Sequence, residues 1–329
     1  MKSTAVACAN QGLIKYWGCK DRKLRLPWND SISVCLDKLT TTTTVESSRK
    51  YDRDMVIIDG SEPIGKSYDR VIEQLDRIRR IAKSHERAKV ISKNSFPPAS
   101  GLASSASGFA ALTLAGTDAF GLSLKDKELS ILARLASGSA SRSIPGGFSE
   151  WFAGARSEDS YAVCLATSED IDMKTLVVIV GLTQKKISST EAMDVTVKTS
   201  PFFSSRLAYL RDALPKMKEA IKNRSINDIA RLAEIDSLNM ASCCFTSDPP
   251  IIYWLPSTLA VMNSVVEMRE NGADCHYSMD AGGNVFINTT SEYIKEVNKT
   301  IKRMLGVIET MECKVGGKAK LLPEGSALF

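Results

Sequence analysis

Small residues and hydroxyl groups are concentrated in one loop in the first third of the chain, residues 97–108 with the sequence PPASGLASSASG. Its prolines and glycine disfavour regular structure, and the Ala- and Leu-rich stretch 102–119 predicts a helix that begins inside the loop. Free backbone N–H groups at a helix N-terminus, with serine hydroxyls beside them, can bind a phosphate. No GKS or GKT follows, so the loop is not a Walker motif. An isolated loop of this kind is equally well explained as a helix start whose small residues serve only close packing.

Three further segments carry groups that suit phosphate or carboxylate chemistry. In SGSASRS, Ser137 and Ser139 precede Arg142, whose guanidinium can grip an anion through two hydrogen bonds. Asp280 lies in a glycine-rich turn, DAGGN, and Lys15 lies between large apolar residues in IKYWG. Each segment also has a purely structural interpretation. SGSASRS could be an ordinary polar loop, Asp280 could only form the turn, and Lys15 could extend its ammonium group into solvent. Together the segments favour phosphate chemistry on a small carboxylic acid.

Composition narrows the class of protein. The 329 residues are 43% hydrophobic and 25% charged, which are ordinary globular proportions. A single core stops growing at about 250–300 residues, so two lobes around a cleft are expected. The net charge of +5 is dispersed, which does not indicate a nucleic-acid arm. Two histidines argue against a Ser-His-Asp hydrolase or a multi-histidine metal enzyme, and eight cysteines without a CxxC pair favour reduced, cytoplasmic thiols.

Periodicity predicts the elements that must position these groups. A β-rich opening is expected across residues 3–45, and the apolar runs are too short to span a bilayer, which predicts a soluble protein. Further strands are predicted at 89–93, 176–182, 277–279 and 285–287. A loop is predicted at 137–147, and helices at 67–88, 102–119, 125–136, 203–222 (with Pro215 as a break point), 226–241, 259–270 and 291–305.

Four segments resemble the diphosphomevalonate decarboxylases of the GHMP kinase superfamily. They are NQGLIKYWGCKDRKLRLPWNDSISVCLD, PPASGLASSASGFAAL, SGSASRSIPGGFSEW and MDAGGN, and they occur in the family's order over most of the chain. The resemblance implies a two-lobed α+β fold of the GHMP kinase type, with the active-site cleft between an N-terminal lobe, 1–184, and a C-terminal lobe, 185–329. It also implies a homodimer.

The same resemblance implies roles for individual residues. Asp280 would face the 3-hydroxyl of the mevalonate skeleton, Lys15 would neutralise charge beside it, and Arg142 would grip the carboxylate. The implied substrate-binding residues are Tyr16, Ser137, Ser139, Ser189 and Met193. The implied nucleotide and phosphate-loop residues are Ser92, Asn94, Ser100, Gly101, Ser104, Ser105 and Ser107.

Two departures from the family pattern concern the substrate. Cys19 stands where diphosphate-using members have a second lysine, and Thr190 stands where they have an arginine. Losing two charge-assisted contacts of roughly 1.5–3 kcal/mol each would weaken a diphosphate far more than a monophosphate. The start NQGLIKY is also similar to the archaeal phosphomevalonate decarboxylase branch. A 5-monophosphorylated mevalonate, giving isopentenyl phosphate, is therefore the expected substrate.

The sequence leaves open whether the chain uses ATP. ATP and Mg²⁺ would be needed if it adds the 3-phosphate itself, and neither would be needed if it receives mevalonate 3,5-bisphosphate. An ATP-dependent diphosphomevalonate decarboxylase is one alternative. A small-molecule GHMP kinase without decarboxylation and a non-catalytic sensor of isoprenoid phosphates are alternatives of another class.

Overall fold

The computed structural model describes residues 1–96, 104–181 and 187–329, and within these ranges it has a mixed α+β architecture. The strands are β1 (Lys2–Ile14), β2 (Cys19–Asp21), β3 (Leu26–Pro27), β4 (Ser31–Ser48), β5 (Met55–Ile58), β6 (Arg87–Asn94), β7 (Phe148–Trp151), β8 (Ala162–Ala166), β9 (Lys174–Ile179), β10 (Cys275–Ser278), β11 (Val285–Thr289), β12 (Glu309–Lys314) and β13 (Lys320–Leu322). The helices are α1 (Lys66–Ala82), α2 (Ser104–Ala119), α3 (Asp126–Ala136), α4 (Ala140–Ser143), α5 (Ser189–Thr199), α6 (Phe203–Lys222), α7 (Ile226–Phe245), α8 (Pro256–Glu270) and α9 (Ile294–Ile301).

The larger sheet is built around the long antiparallel pair of β1 and β4. Its order is β13-β1-β4-β6-β5, and β7 pairs with the start of β4 and with β8. The threonine run of β4 pairs with β1 on one side and β6 on the other, in the registers Thr43↔Ala5 and Thr43↔Ser92. Helix α2 packs against β1 and β4 and is apolar on most sides, as expected for a buried helix. The predicted β-rich opening therefore forms the centre of the larger sheet, and α2 packs against it.

The smaller sheet, of order β10-β11-β9-β12, explains the longest apolar run of the sequence. Leu176 and Val178 of β9 pack in a core with residues of α8 and α9, whereas Val177 and Ile179 pack in a different core with residues of α6 and α7. Both faces of β9 are covered, so the strand needs apolar residues at consecutive positions rather than alternating ones. The predicted buried strand is confirmed, and its partners are all C-terminal to it.

Several predicted element boundaries were wrong. The helix predicted at 67–88 ends at Ala82, because Lys83 adopts a left-handed conformation with φ 50° and the chain turns into β6. The loop predicted at 137–147 contains the short helix α4. Helix α6 continues through Pro215, which costs it one hydrogen bond but does not end it. Helix α5 was not predicted at all.

Two further expectations concern membrane spans and the division into lobes. No helix in the described part of the chain is both long and apolar enough to cross a bilayer. The division into lobes at residue 184 stays a prediction.

Glycines join the larger sheet to the C-terminal part of the chain. Gly147 N–H donates to Gly316 O at 2.9 Å, and Gly316 N–H donates to Cys35 O at 2.7 Å. Gly146 has φ +68°, and a Cβ there would lie 2.4 Å from backbone atoms of Gly317. The junction therefore requires both the left-handed conformation and the missing side chain of Gly146.

We expect Gly146→Ala to destabilise the protein by clearly more than Gly121→Ala. Gly121 has φ +74° with open space where a side chain would lie, so alanine there costs only the conformational strain, about 1–2 kcal/mol. At Gly146 the clash with backbone adds about 1–3 kcal/mol. Thermal unfolding followed by circular dichroism measures both variants, and equal shifts of the midpoint would contradict the close contact.

Candidate active site

Lys15 follows directly after β1 and places a buried ammonium group in the centre of the site. Its Nζ donates to Asp280 Oδ1 at 2.8 Å, to Ser278 Oγ at 2.8 Å and to Gly12 O at 2.5 Å. The Lys15 side chain is 3% exposed, whereas that of Asp280 is 24% exposed. Asp280 lies in the turn between β10 and β11, so this ion pair connects the two sheets. Its exposed part leaves the carboxylate accessible to a ligand.

A second, fully buried ion pair fixes the backbone of Lys15. Asp236 of α7 accepts the Lys15 N–H at 2.7 Å through Oδ2, and it pairs with Arg206 of α6 at 3.1 Å through Oδ1. The Arg206 guanidinium also donates to Lys15 O at 3.2 Å, and Asn29 Nδ2 donates to the same oxygen at 3.1 Å. The backbone N–H and C=O of Lys15 are thus both held by buried side chains.

Arg142 lies on α4 and is buried on a different wall of the site. Its Nη1 donates to Ser31 Oγ at 2.5 Å and its Nη2 to Asn10 Oδ1 at 3.3 Å. Asn10 is itself oriented, because its Nδ2 donates to Ser143 Oγ at 2.8 Å. Burial lowers the pKa of Arg142 to about 10, with the nearby Asp280 carboxylate opposing the shift. The guanidinium therefore remains charged at neutral pH.

Aromatic packing next to Arg142 shapes the floor of the site. The rings of Tyr16 and Trp151 meet edge to face with centroids 4.8 Å apart. A Cβ at Gly138 would come within 2.8 Å of the Tyr16 ring and 2.9 Å of the Trp151 ring, so only glycine fits there. Burial raises the pKa of the Tyr16 hydroxyl, and the nearby Cys19 thiol acts in the same direction. Tyr16 therefore acts as a neutral group.

These groups surround a cavity of about 230 Å³, referred to below as the main cavity. Of the predicted residues it is lined by Lys15, Tyr16, Ser105, Ser137, Ser139, Arg142, Ser189, Met193 and Asp280. The first turn of α5, capped by Ser188 through its hydrogen bond from Glu191 N–H, also faces it. All three predicted catalytic residues and all five predicted substrate-binding residues thus meet in one cavity.

The predicted nucleotide residues are divided between two places. A second cavity of about 180 Å³ is lined by Ser92, Asn94, Ser104 and Ser105 together with apolar residues of β5, β6 and α2. Ser105 and Arg70 line both cavities. Ser107 is buried outside them, and its hydroxyl bonds to Thr41 at 2.7 Å. Ser100 and Gly101 lie outside the described residues.

Comparison with known proteins agrees with the geometry. Residues 7–162 match the model of the diphosphomevalonate decarboxylase-like N-terminal domain, and residues 175–325 match that of the mevalonate 5-diphosphate decarboxylase C-terminal domain. The chain belongs to this decarboxylase family. This confirms the predicted family, the predicted GHMP-type fold and the predicted enzyme class, a carboxy-lyase of the mevalonate pathway.

Individual relatives are similar over their full length. The chain is 36% identical to the phosphomevalonate decarboxylase of Haloferax volcanii, with 100% of both chains covered. The crystal structure of mevalonate diphosphate decarboxylase from Staphylococcus aureus is 34% identical, with a TM-score of 0.92 and 98% of each chain covered. A structure described as MDDEF in complex with MVAPP, AMPPCP and magnesium is 35% identical, with a TM-score of 0.91 over 98% of this chain and 99% of that one.

Sequence reasoning missed four charged residues at or beneath the main cavity. Arg25 and Arg70 line the main cavity, and Arg206 and Asp236 hold Lys15 beneath it. Arg25, Arg70 and Arg206 stand among ordinary surface-type patterns, and nothing in their spacing singles them out. An available signal was the S-x-x-E capping box at Ser188, which would have predicted α5 and its N-terminus at the cavity.

We expect Asp236→Ala to lower both stability and turnover. It removes the acceptor of the Lys15 N–H and leaves Arg206 buried without its counter-ion, which costs about 3–5 kcal/mol. The double variant Arg206→Met with Asp236→Leu replaces the pair by apolar groups and is expected to regain much of that stability. It should not regain turnover, because the Lys15 peptide still lacks its partners. Thermal midpoints and kcat measure this, and a double variant with full turnover would contradict the positioning role.

Proposed function

We propose that the chain decarboxylates a mevalonate that carries one phosphate at its 5-end, releasing carbon dioxide and isopentenyl phosphate. The observation that carries the proposal is the convergence of Asp280, Lys15 and Arg142 on one cavity, with a threonine and no additional cation from the first turn of α5 among the described residues. Family membership supplies the reaction class, and the cavity supplies the groups that the reaction needs.

The reaction suits this set of side chains. Asp280 accepts the hydrogen bond or the proton of the substrate's 3-hydroxyl, because it is the only carboxylate among the described cavity-lining residues and is partly exposed. Lys15, which already contacts Asp280, stabilises negative charge that develops at the 3-oxygen. Arg142 orients the carboxylate. When the 3-phosphate leaves with the C–O electron pair, the bond to the carboxylate carbon breaks, carbon dioxide departs and the electrons of that bond form the alkene.

The residues at positions 19 and 190 support a monophosphate. Thr190 lines the cavity with a neutral side chain, and the Cys19 thiol donates a hydrogen bond to Asp21 O at 3.2 Å. Burial raises the pKa of Cys19, so the thiol is neutral at physiological pH and offers an anion no charge. The Haloferax relative is named a phosphomevalonate decarboxylase, which agrees with this assignment.

We further propose that the 3-phosphate comes from MgATP. The second cavity fits a nucleotide, because apolar residues of β5, β6 and α2 can enclose a base while Ser104 and Ser105 at the start of α2 offer hydroxyl groups to phosphates. Because Ser105 lines both cavities, a terminal phosphate at Ser105 would lie next to the substrate. The MDDEF structure with AMPPCP and magnesium is a precedent in a relative. The homodimer and the cytoplasmic location stay predictions.

Purified protein should release carbon dioxide from mevalonate 5-phosphate with MgATP. Parallel reactions contain mevalonate 5-diphosphate with MgATP, and mevalonate 3,5-bisphosphate alone. We expect kcat/KM for the monophosphate to exceed that for the diphosphate by at least tenfold. Turnover of the bisphosphate without activity on the monophosphate would refute ATP use. Turnover of the diphosphate alone would refute the monophosphate assignment, and ADP formation without carbon dioxide would identify a kinase.

Asp280→Asn should lower kcat by about 10²–10⁴-fold, the usual contribution of a positioned general base. Ser278→Ala is the matched control, because it also weakens the contacts of Lys15 Nζ, whereas Ser278 does not line the cavity. We expect the control to lose less than about tenfold, in line with one hydrogen bond of roughly 1 kcal/mol. If both variants lose the same activity, Asp280 acts only by holding Lys15.

A further inference from the structure

Two arginines of the main cavity have no part in the chemistry described so far. Arg25 lies in the turn between β2 and β3, and Arg70 lies on α1. Their guanidinium groups are tied to successive carbonyl oxygens at the end of α3, Arg25 Nε to Leu135 O at 2.8 Å and Arg70 Nη2 to Ala136 O at 3.0 Å. They therefore form a pair of neighbouring positive charges next to Ser137.

Among the described cations that line the main cavity, Arg25 is one whose two terminal NH₂ groups both lack a hydrogen-bond partner. Lys15 is paired with Asp280, and Arg142 donates to Ser31 and Asn10. Arg70 stacks on the Phe109 ring and also lines the second cavity. Among the described residues, Arg25 makes no ion pair, and its one hydrogen bond uses Nε, which leaves both terminal NH₂ groups for a ligand.

The charge of Arg25 is close to position 19. The hairpin of β2 and β3 pairs Asp21 with Leu26 and Cys19 with Pro27, so Arg25 immediately precedes the strand that pairs with Cys19. Burial raises the pKa of the Cys19 thiol, and the positive charge of Arg25 opposes that shift. The same charge opposes the rise in the pKa of Tyr16, which lines the cavity floor. Arg25 thus supplies positive charge close to Cys19, which is itself uncharged.

The proximity of two positive charges, those of Arg25 and Arg70, also indicates an anionic ligand. Burial and, to a smaller extent, the neighbouring positive charge of Arg25 lower the pKa of Arg70 to about 10. In addition, Arg25 has a backbone φ of 50°, a left-handed conformation that is unfavourable for a residue with a side chain. A phosphate between the two guanidinium groups would relieve their repulsion.

We propose that Arg25 binds the 5-phosphate of the substrate and thereby determines specificity for a phosphorylated mevalonate. The terminal NH₂ groups can hold two oxygens of one phosphate, which is the bidentate geometry that arginine favours. Arg142 and Arg25 then bind opposite ends of the substrate, the carboxylate and the phosphate. The inference rests on the proposed function for the identity of the ligand.

The test compares Arg25→Gln with Lys23→Gln, a control in the same turn that removes the same charge from an exposed residue outside the cavity. Isothermal titration measures the Kd of mevalonate 5-phosphate and of unphosphorylated mevalonate for each variant. We expect Arg25→Gln to raise the Kd of the phosphorylated ligand about 10–100-fold, as for the loss of charge-assisted hydrogen bonds. The Kd of mevalonate should be unchanged, and Arg25→Lys should give an intermediate effect.

Steady-state kinetics separates binding from chemistry. Arg25→Gln should raise the KM for the phosphorylated substrate, with kcat and the KM for ATP changed less than about threefold. Equal weakening of mevalonate and its phosphate, or an unchanged Kd for the phosphate, would overturn the inference and leave Arg25 as a structural tie between the turn and α3. Thermal midpoints of all variants report on folding.

The outcomes distinguish this inference from the proposed function. If the wild-type protein turns over only the 5-diphosphate and Arg25→Gln weakens that ligand but not mevalonate, the monophosphate assignment fails and the phosphate-binding role of Arg25 stands. If the wild-type protein turns over the monophosphate and Arg25→Gln binds it as the wild type does, the proposed function stands and the role of Arg25 fails.

Discussion

The arrangement of the site depends on burying the ammonium group of Lys15. The Lys15 side chain is 3% exposed, and burying an ammonium group is costly unless its protons have acceptors and its charge has a counter-ion. Asp280, Ser278 and Gly12 O supply these partners at 2.5–2.8 Å. Because Lys15 ends β1 and Asp280 lies between β10 and β11, the electrostatic requirement fixes the larger sheet against the smaller one. The same contact leaves the outer part of the Asp280 carboxylate at the cavity.

The position of the Lys15–Asp280 contact depends on how helices pack on strand β9, away from the contact itself. Strand β9 has apolar residues on both faces, so it holds α6 and α7 on one side and α8 and α9 on the other. The helices α6 and α7 bring Arg206 and Asp236 under Lys15 as a pair with no solvent exposure. Such a pair contributes little net stability compared with apolar residues. Its value is geometric, since it satisfies both the N–H and the C=O of Lys15, which lies directly after the end of β1.

The sequence predicted the parts of this structure that depend on local pattern or on an unusual motif. Helices α6, α7 and α8 and strand β9 have strong periodicity or long apolar runs, and the glycine-rich segments around Arg142 and Asp280 carried a family resemblance. The ends of helices were less predictable, because a left-handed residue such as Lys83 has no strong preference to mark it. The contacts of Arg25 and Arg206 join residues more than a hundred positions apart, and no local pattern records such a pairing.

The balance of charge in the main cavity favours a particular ligand. Its described lining carries four cations, Lys15, Arg25, Arg70 and Arg142, against the single carboxylate of Asp280, an excess of three positive charges. A carboxylate contributes one negative charge, and a phosphate monoester contributes about 1.5–2 at neutral pH. A 5-monophosphorylated hydroxy acid therefore nearly neutralises the cavity, whereas a diphosphate would add a further charge that no described residue at position 19 or 190 can meet. In a partly buried cavity an unmatched charge costs more than it would in water, so the neutral side chains at positions 19 and 190 disfavour a second phosphate at the 5-end of the substrate.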